Sequence, residues 1–327
     1  MARTYRIGIL SDIHYASAAE RARGNDFELQ GLANPLARRA LKLYRRWIWL
    51  KNPLDHNRLL DDFLDQVGPV DCLVANGDYS CDSGFVGASD SAAASSVAEC
   101  LGKLRERIGS SAGFQATLGD HELGKFTLVG RRGGMRLASW RRATGELGLR
   151  PFWRIDLGNH VLLGVTSSLI AFPVFELEAL PEERAQWQGL REAHLEEIRR
   201  VFSTLQPRQR VLLFCHDPTA LPFLAREESV RRRMAQIEGT VIGHLHTNLV
   251  LWKSRLLAGM PAGCFLGHGV KRMSTALRDA RCWRQFQVRL CPSLAGIELL
   301  KDGGFLTADL DEEAQRPVRF AFHPLPR

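Results

Sequence analysis

The sequence predicts an α/β protein: a two-sheet β-sandwich flanked by helices, with a helical insertion after the first strand. Three observations lead there. Short apolar runs suited to fully buried strands alternate with helical patterns, which argues for α/β layering. Five of these runs, Ile7–Leu10, Cys72–Ala75, Phe114–Leu118, Val211–Cys215 and Thr240–Ile242, are each followed within a few residues by Asp, His or both. In open α/β sheets ligands gather beyond the carboxyl ends of strands, so five distant segments would deliver these side chains to one rim.

Taken in order, the first run leads into Asp12-Ile13-His14. The connection from 15 to 56 is far longer than the ~15 residues beyond which a structureless loop is uncommon, and it reads as a basic amphipathic insertion. Within it, Asn34 as N-cap and Pro35 at the first helical position start a helix. Leu36, Ala40, Leu43, Tyr44, Trp47 and Leu50 fall on one face, while Arg38, Lys42, Arg45 and Arg46 lie mainly elsewhere. A basic helix bearing Trp47 and Trp49 near its end fits a lipid surface. Its apolar face equally suits packing on the core, and its arginines suit nucleic-acid phosphates with a stacked tryptophan.

Leu59, Leu60, Phe63, Leu64 and Val67 share one face of a helix over 57–67, ahead of a strand over 70–75 that ends in Asn76-Gly77-Asp78. A Ser-rich segment and a helix ending near Ile108 precede Gly119-Asp120-His121-Glu122. Strands over 152–157 and 161–166, a charged helix over 182–204, His216 at a strand end, and Gly243-His244-Leu245-His246 follow. Shorter strands, one of them over 286–290, complete the chain. Because the clusters interleave along most of the sequence and must converge, residues 1–327 read as one domain with 15–56 inserted in it.

The 327 residues are 45% hydrophobic and 24% charged, ordinary for a globular protein, and the formal net charge of +8 suits an anionic partner (nucleic acid, phosphorylated metabolite or acidic membrane) and an arginine-rich background composition equally. Seven cysteines form no CxxC pair, which suits free thiols in a reducing cytoplasm. With Met1–Arg6 leading straight into Ile7–Leu10, no secretory leader is expected. The longest stretch without Lys, Arg, Asp or Glu, Leu157 to Phe175, is broken by Gly158, Asn159, His160, Gly164 and Pro173, so no membrane span is expected.

Several carboxylates and imidazoles on one rim repel or desolvate one another unless positive charge sits among them. Two divalent metals would supply it. Asp-x-His, Gly-Asp, Gly-Asp-His-Glu, a strand-end His and Gly-His-x-His, in that order, resemble the calcineurin-like metallophosphoesterases over residues 12 to 246. Asp120 departs from the family's Asn. The resemblance implies the α/β/β/α metallophosphoesterase fold, with Asp12, His14, Asp78 and His246 around one metal. Asp78, Asp120, His216 and His244 would hold the other, Asp78 bridging, and His121 would be the catalytic residue that protonates the leaving oxygen or holds charge. Two metals ~3.5–4 Å apart can clamp a phosphate oxygen and make water nucleophilic at neutral pH. A third carboxylate at Asp120 points to Mn²⁺ or Mg²⁺ over Zn²⁺, with a tighter but less polarising second ion.

Within the family the chain is most similar to the bacterial, chlamydial-type UDP-2,3-diacylglucosamine diphosphatases of lipid A synthesis. That implies cleavage of a UDP-linked lipid to UMP and a lipid monophosphate, on the inner, acidic membrane surface. Arg45, Arg46, Trp47 and Trp49 would contact substrate or membrane, and Leu43, Trp47, Ile48 and Leu50 would line an acyl groove. A nuclease or nucleotide phosphodiesterase of the same fold, and a metal-binding scaffold without turnover, remain as alternatives. His56, His160, His194, His268 and His323 read as structural.

Overall fold

The computed structural model describes residues 3–81, 85–109, 113–127, 132–261 and 274–327. Its described strands form two five-stranded sheets. The first has the order β10-β9-β1-β2-β3, built from β1 (Thr4–Leu10), β2 (Cys72–Ala75), β3 (Gly113–Ala116), β9 (Gly304–Asp311) and β10 (Arg319–Pro324). β1, β2 and β3 are parallel, with Ile9 opposite Val74 and Val74 opposite Gln115; β9 and β10 add on antiparallel. The second sheet has the order β4-β5-β6-β7-β8, from β4 (Phe152–Leu157), β5 (His160–Val165), β6 (Arg210–Cys215), β7 (Ile237–Ile242) and β8 (Val288–Leu290). Only β4 runs antiparallel to its neighbour.

The sheets stack through alternating side chains. Ile7, Ile9, Cys72 and Val74 of one sheet meet Leu162, Leu212, Phe214 and Val241 of the other in an inter-sheet core. The opposite face of the same strands, including Leu10, Leu73, Val161, Leu163 and Leu213, packs under the helices. Both faces of the central strands are therefore covered, which is why they read as continuous apolar runs rather than alternating ones.

The helices are α1 (Ala18–Arg21), α2 (Pro35–Trp47), α3 (Arg58–Gln66), α4 (Ser91–Ile108), α5 (Asp120–Leu123) and α6 (Leu137–Gly145), then α7 (Ser167–Ile170) and α8 (Phe172–Phe175). α9 (Arg184–Thr204), α10 (Leu221–Leu224), α11 (Glu228–Arg232) and α12 (Asn248–Leu256) follow. Phe63 of α3 meets Phe305 of β9 edge-on, placing α3 on the first sheet. The Nε2 of His194 in α9 accepts the Thr166 N–H at 3.0 Å just past β5, tying α9 to the second. No described helix is long and apolar enough to cross a membrane.

The expected strand over 114–118 is β3, Gly113–Ala116, and that over 161–166 is β5, His160–Val165, so each ladder starts one residue earlier and also ends earlier than expected. α2 starts as expected, the Asn34 side chain accepting the N–H of Leu36 and of Ala37. None of its residues is buried. Leu50, expected on its apolar face, lies beyond the helix end and is buried, so it cannot line an exposed groove. The six described cysteines are free thiols; Cys264 and His268 fall outside the described residues.

Candidate metal centre

Every cluster singled out in the sequence sits in the loop after its strand, and the loops of both sheets meet. Asp12 and His14 follow β1, Asp78 follows β2, Asp120 opens α5 after β3, His216 follows β6, and His244 and His246 follow β7. Backbone bonds splice these loops together: Asp12 N–H to the Gly77 carbonyl, His14 N–H to that of Asp78, and Gly243 N–H to that of His216. The glycines permit the approach. A β-carbon at Gly119 would collide with Asp78 Oδ1, and one at Gly243 with Ser11 Oγ and Asp12 Oδ2.

The donor atoms fall into three overlapping groups, each within 4.8 Å: Asp12, His14 and His246; Asp78, Asp120, His216 and His244; and His14, Asp78 and His121. His246 Nε2 lies 3.3 Å from Asp12 Oδ1 and 3.3 Å from His14 Nε2. His216 Nε2 lies 3.2 Å from Asp78 Oδ2 and 3.3 Å from Asp120 Oδ1, and His244 Nδ1 lies 3.2 Å from the same Asp120 oxygen. All seven expected ligands and His121 are thus brought together.

The hydrogen bonds on the far sides of the rings fix what they offer. His216 Nδ1 is 2.6 Å from the Asn76 carbonyl, and His14 and His121 Nδ1 are 3.2 Å and 2.9 Å from the Ser80 carbonyl. Only an N–H satisfies a carbonyl, so each neutral ring turns its Nε2 lone pair inward. With the ring neutral, His216 Nε2 and Asp78 Oδ2 face each other 3.2 Å apart as two acceptors, both buried and both without a hydrogen-bond partner. A cation among them resolves that conflict, and the oxygen and nitrogen donor set suits a divalent metal.

Without a cation the carboxylates draw protons onto two of the rings: against burial, Asp78, Asp12 and Asp120 raise His216 well above its usual value, and Asp120 and Asp217 raise His244. Burial pushes the Asp12 carboxyl up to about 6 and the His14 imidazole down to about 3. Burial also raises Asp78, as does Asp120, but His121 and His216 outweigh both and hold it low. Asp120 is held well below the usual range against burial, chiefly by Lys125. Burial lowers His121, so its resting state is neutral.

Four groups to which the sequence reading gave no role complete the centre. Glu122 is fully buried, and its carboxylate accepts the N–H of Asp78 (3.1 Å), Tyr79 (2.8 Å) and Gly119 (2.9 Å), clamping two ligand loops. Lys125 Nζ is 3.0 Å from Asp120 Oδ2. Asp217 Oδ2 lies 3.8 Å from His244 Nε2. Ser11 Oγ donates to Asp12 Oδ2 at 2.7 Å. A basic residue five positions after an out-of-pattern acid was the available signal for Lys125; Glu122 stood in the motif itself.

The insertion reaches the same rim. The Trp49 ring packs 4.8 Å from that of His246. Arg45 is turned inward onto Glu28 (2.7 Å) and the Asn25 carbonyl, whereas Arg46 is exposed over the Trp47 ring at 5.4 Å.

No family model matches the chain, and no curated protein matches it. Among solved structures, it is similar to a purple acid phosphatase from yellow lupin seeds at 12% identity and a TM-score of 0.39, over 75% of this chain but only 38% of that one. It is also similar to a predicted phosphoesterase from Streptococcus pneumoniae (9% identity, TM-score 0.30, 99% of this chain and 100% of that). The third is a phosphopantetheinyl hydrolase from Mycobacterium tuberculosis (14% identity, TM-score 0.33, 73% and 82%).

Proposed function

We propose that the protein is a metal-dependent phosphoric ester or anhydride hydrolase. One observation carries this: two donor groups, Asp12/His14/His246 and Asp78/Asp120/His216/His244, linked by a third of His14, Asp78 and His121, with lone pairs aimed inward and no hydrogen bond for the buried Asp78 Oδ2 or His216 Nε2. Asp12, His14, Asp78 and His246 would hold one ion and Asp78, Asp120, His216 and His244 the second. Two such ions supply Lewis acidity and a water nucleophilic at neutral pH. His121 is the proton carrier. Its Nδ1–H on the Ser80 carbonyl fixes the ring, its Nε2 lies 3.7 Å from Asp78 Oδ2, and an arriving phosphate anion favours the imidazolium that burial disfavours.

The substrate proposed is UDP-2,3-diacylglucosamine, cleaved to UMP and 2,3-diacylglucosamine 1-phosphate by a protein lying on the inner, acidic membrane surface. Two helix faces beside the metals support an amphiphile. On α2, the stripe Leu36, Ala40, Leu43 and Trp47 points to solvent, with Leu36 76% and Trp47 62% exposed. Exposed Arg39 and Arg46 flank it. On α12, which begins two residues after His246, Trp252 (60%) and Leu256 (69%) share an exposed face with Leu249 and Lys253. A turn joins the two helices: Leu299 N–H donates to the Ile48 carbonyl, and Asp302 accepts from the α12 N-cap Thr247. Apolar faces rimmed by arginine and lysine suit an anionic lipid surface.

The test is Mn²⁺-loaded protein with UDP-2,3-diacylglucosamine in detergent, UMP being followed by ³¹P NMR. UMP is expected from the wild type, none from Asp12→Ala, and a rate lower by about 10²–10⁴ from His121→Ala. Turnover of bis-p-nitrophenyl phosphate alone would keep the hydrolase and discard the lipid. Turnover of neither would discard both.

A further inference from the structure

Asp120 places a third carboxylate where the family pattern has a neutral amide, and the structure shows what accompanies the change. Its two oxygens face different ways. Oδ1 points into the cluster toward His216 Nε2 and His244 Nδ1, while Oδ2 turns out to meet Lys125 Nζ at 3.0 Å. An asparagine would divide the same way, its carbonyl oxygen free to ligate and its NH₂ unable to. We propose that Asp120 and Lys125 together replace that amide. Lys125 caps the second oxygen, keeps Asp120 a one-oxygen ligand and cancels its charge, so that the neighbouring metal keeps its polarising power. This rests on the two-metal reading of the site.

The backbone is shaped to make the pair. α5 ends after one turn, and Gly124 follows at φ +86°, where a β-carbon would also meet the Gly134 carbonyl. The chain then doubles back. Gly134 N–H donates to the Lys125 carbonyl at 3.1 Å and Phe126 N–H to Glu178 at 2.7 Å, holding the lysine beside the aspartate five residues earlier. The pair is little exposed, 25% for the Lys125 side chain and 9% for that of Asp120, so water screens it weakly. The ammonium also acts on the rings of His14, His121, His244 and His246. Lys125 is a positioning residue, acting through Asp120.

The experiment is Mn²⁺ titration of metal-stripped protein by calorimetry, which reads the pair without requiring turnover. Lys125→Met is expected to tighten the second Mn²⁺ about tenfold and Asp120→Asn to weaken it about tenfold, the scale of second-shell effects on metal affinity. The double variant should return to within about threefold of wild type, and Lys125→Arg, which keeps the charge, should stay there too. A double variant that binds the second Mn²⁺ as weakly as Asp120→Asn alone, or an unchanged second site in Lys125→Met, would overturn the pairing. So would weaker binding of inorganic phosphate to Lys125→Met with Mn²⁺ affinity intact, because Lys125 would then be an anion contact. A wild type that takes up no Mn²⁺ would instead remove the two-metal reading beneath it.

Discussion

Five of the seven proposed ligands, Asp12, His14, Asp78, His244 and His246, hold positive φ between 49° and 59°. Non-glycine residues rarely adopt this region, and it persists only where surrounding contacts over-determine it. Glu122 is one such contact, with three main-chain donors on a carboxylate that burial raises to about 7. Glu122→Gln keeps one acceptor oxygen and sets an NH₂ against the remaining N–H. We expect a loss of about 1–3 kcal/mol in urea unfolding of the metal-stripped protein, together with weaker Mn²⁺ uptake; unchanged unfolding would mean that the loops are held without it. The ligands themselves were legible because each lies within four residues of a strand-like run. Glu122 and Lys125 were not, because the partners that define them, the amides of residues 78 and 79 and one particular carboxylate oxygen, are set by folding.

At the scale of elements, α2 inverts the usual arrangement. Lys42 and Arg45 turn to Asp26 and Glu28 of the protein, and the apolar stripe turns to solvent. Periodicity located this helix and its cap, but could not say which face the molecule would take, since that depends on acids at 26 and 28 in the preceding segment. If the stripe binds lipid, Trp47→Ala with Trp252→Ala should lower co-sedimentation with anionic vesicles at least tenfold while leaving neutral vesicles and Mn²⁺ affinity unaffected. Retention of vesicle binding would detach both helices from the membrane. α9 offers a different test. Burial pushes His194 down to about 3 from an ordinary 6.5. Between these values the unfolded chain binds a proton that the folded one refuses, so stability is complete above pH 6.5 and falls as pH drops toward 3. Between pH 7.5 and 5.5 this one group removes about 1.4 kcal/mol. His194→Gln can still accept the Thr166 N–H, and its unfolding free energy should fall by that much less over the same interval.

For the whole molecule, the centre lies beyond the apolar core that joins the two sheets. The inter-sheet core of Ile7, Val74, Leu212 and Val241 runs up to the strand ends; beyond it stand the buried carboxylates of Asp12, Asp78 and Asp120 and imidazoles contributed by both sheets. Ions bound there would bridge β1, β2 and β3 of one sheet to β6 and β7 of the other. They would also offset the carboxylate repulsion and the strained backbone, costs of order 1–3 kcal/mol for each strained residue. Because the metal binds only the folded arrangement, free Mn²⁺ at a hundredfold excess over its dissociation constant should add about 2.7 kcal/mol. In a calorimetric scan that is a rise of several degrees in Tm over the metal-stripped protein. Asp12→Ala removes one carboxylate, so the stripped variant should melt at or above stripped wild type, yet gain less from Mn²⁺. That crossing of the two effects separates a metal centre from a merely buried polar cluster, in which every ligand truncation would be destabilising and Mn²⁺ would shift nothing.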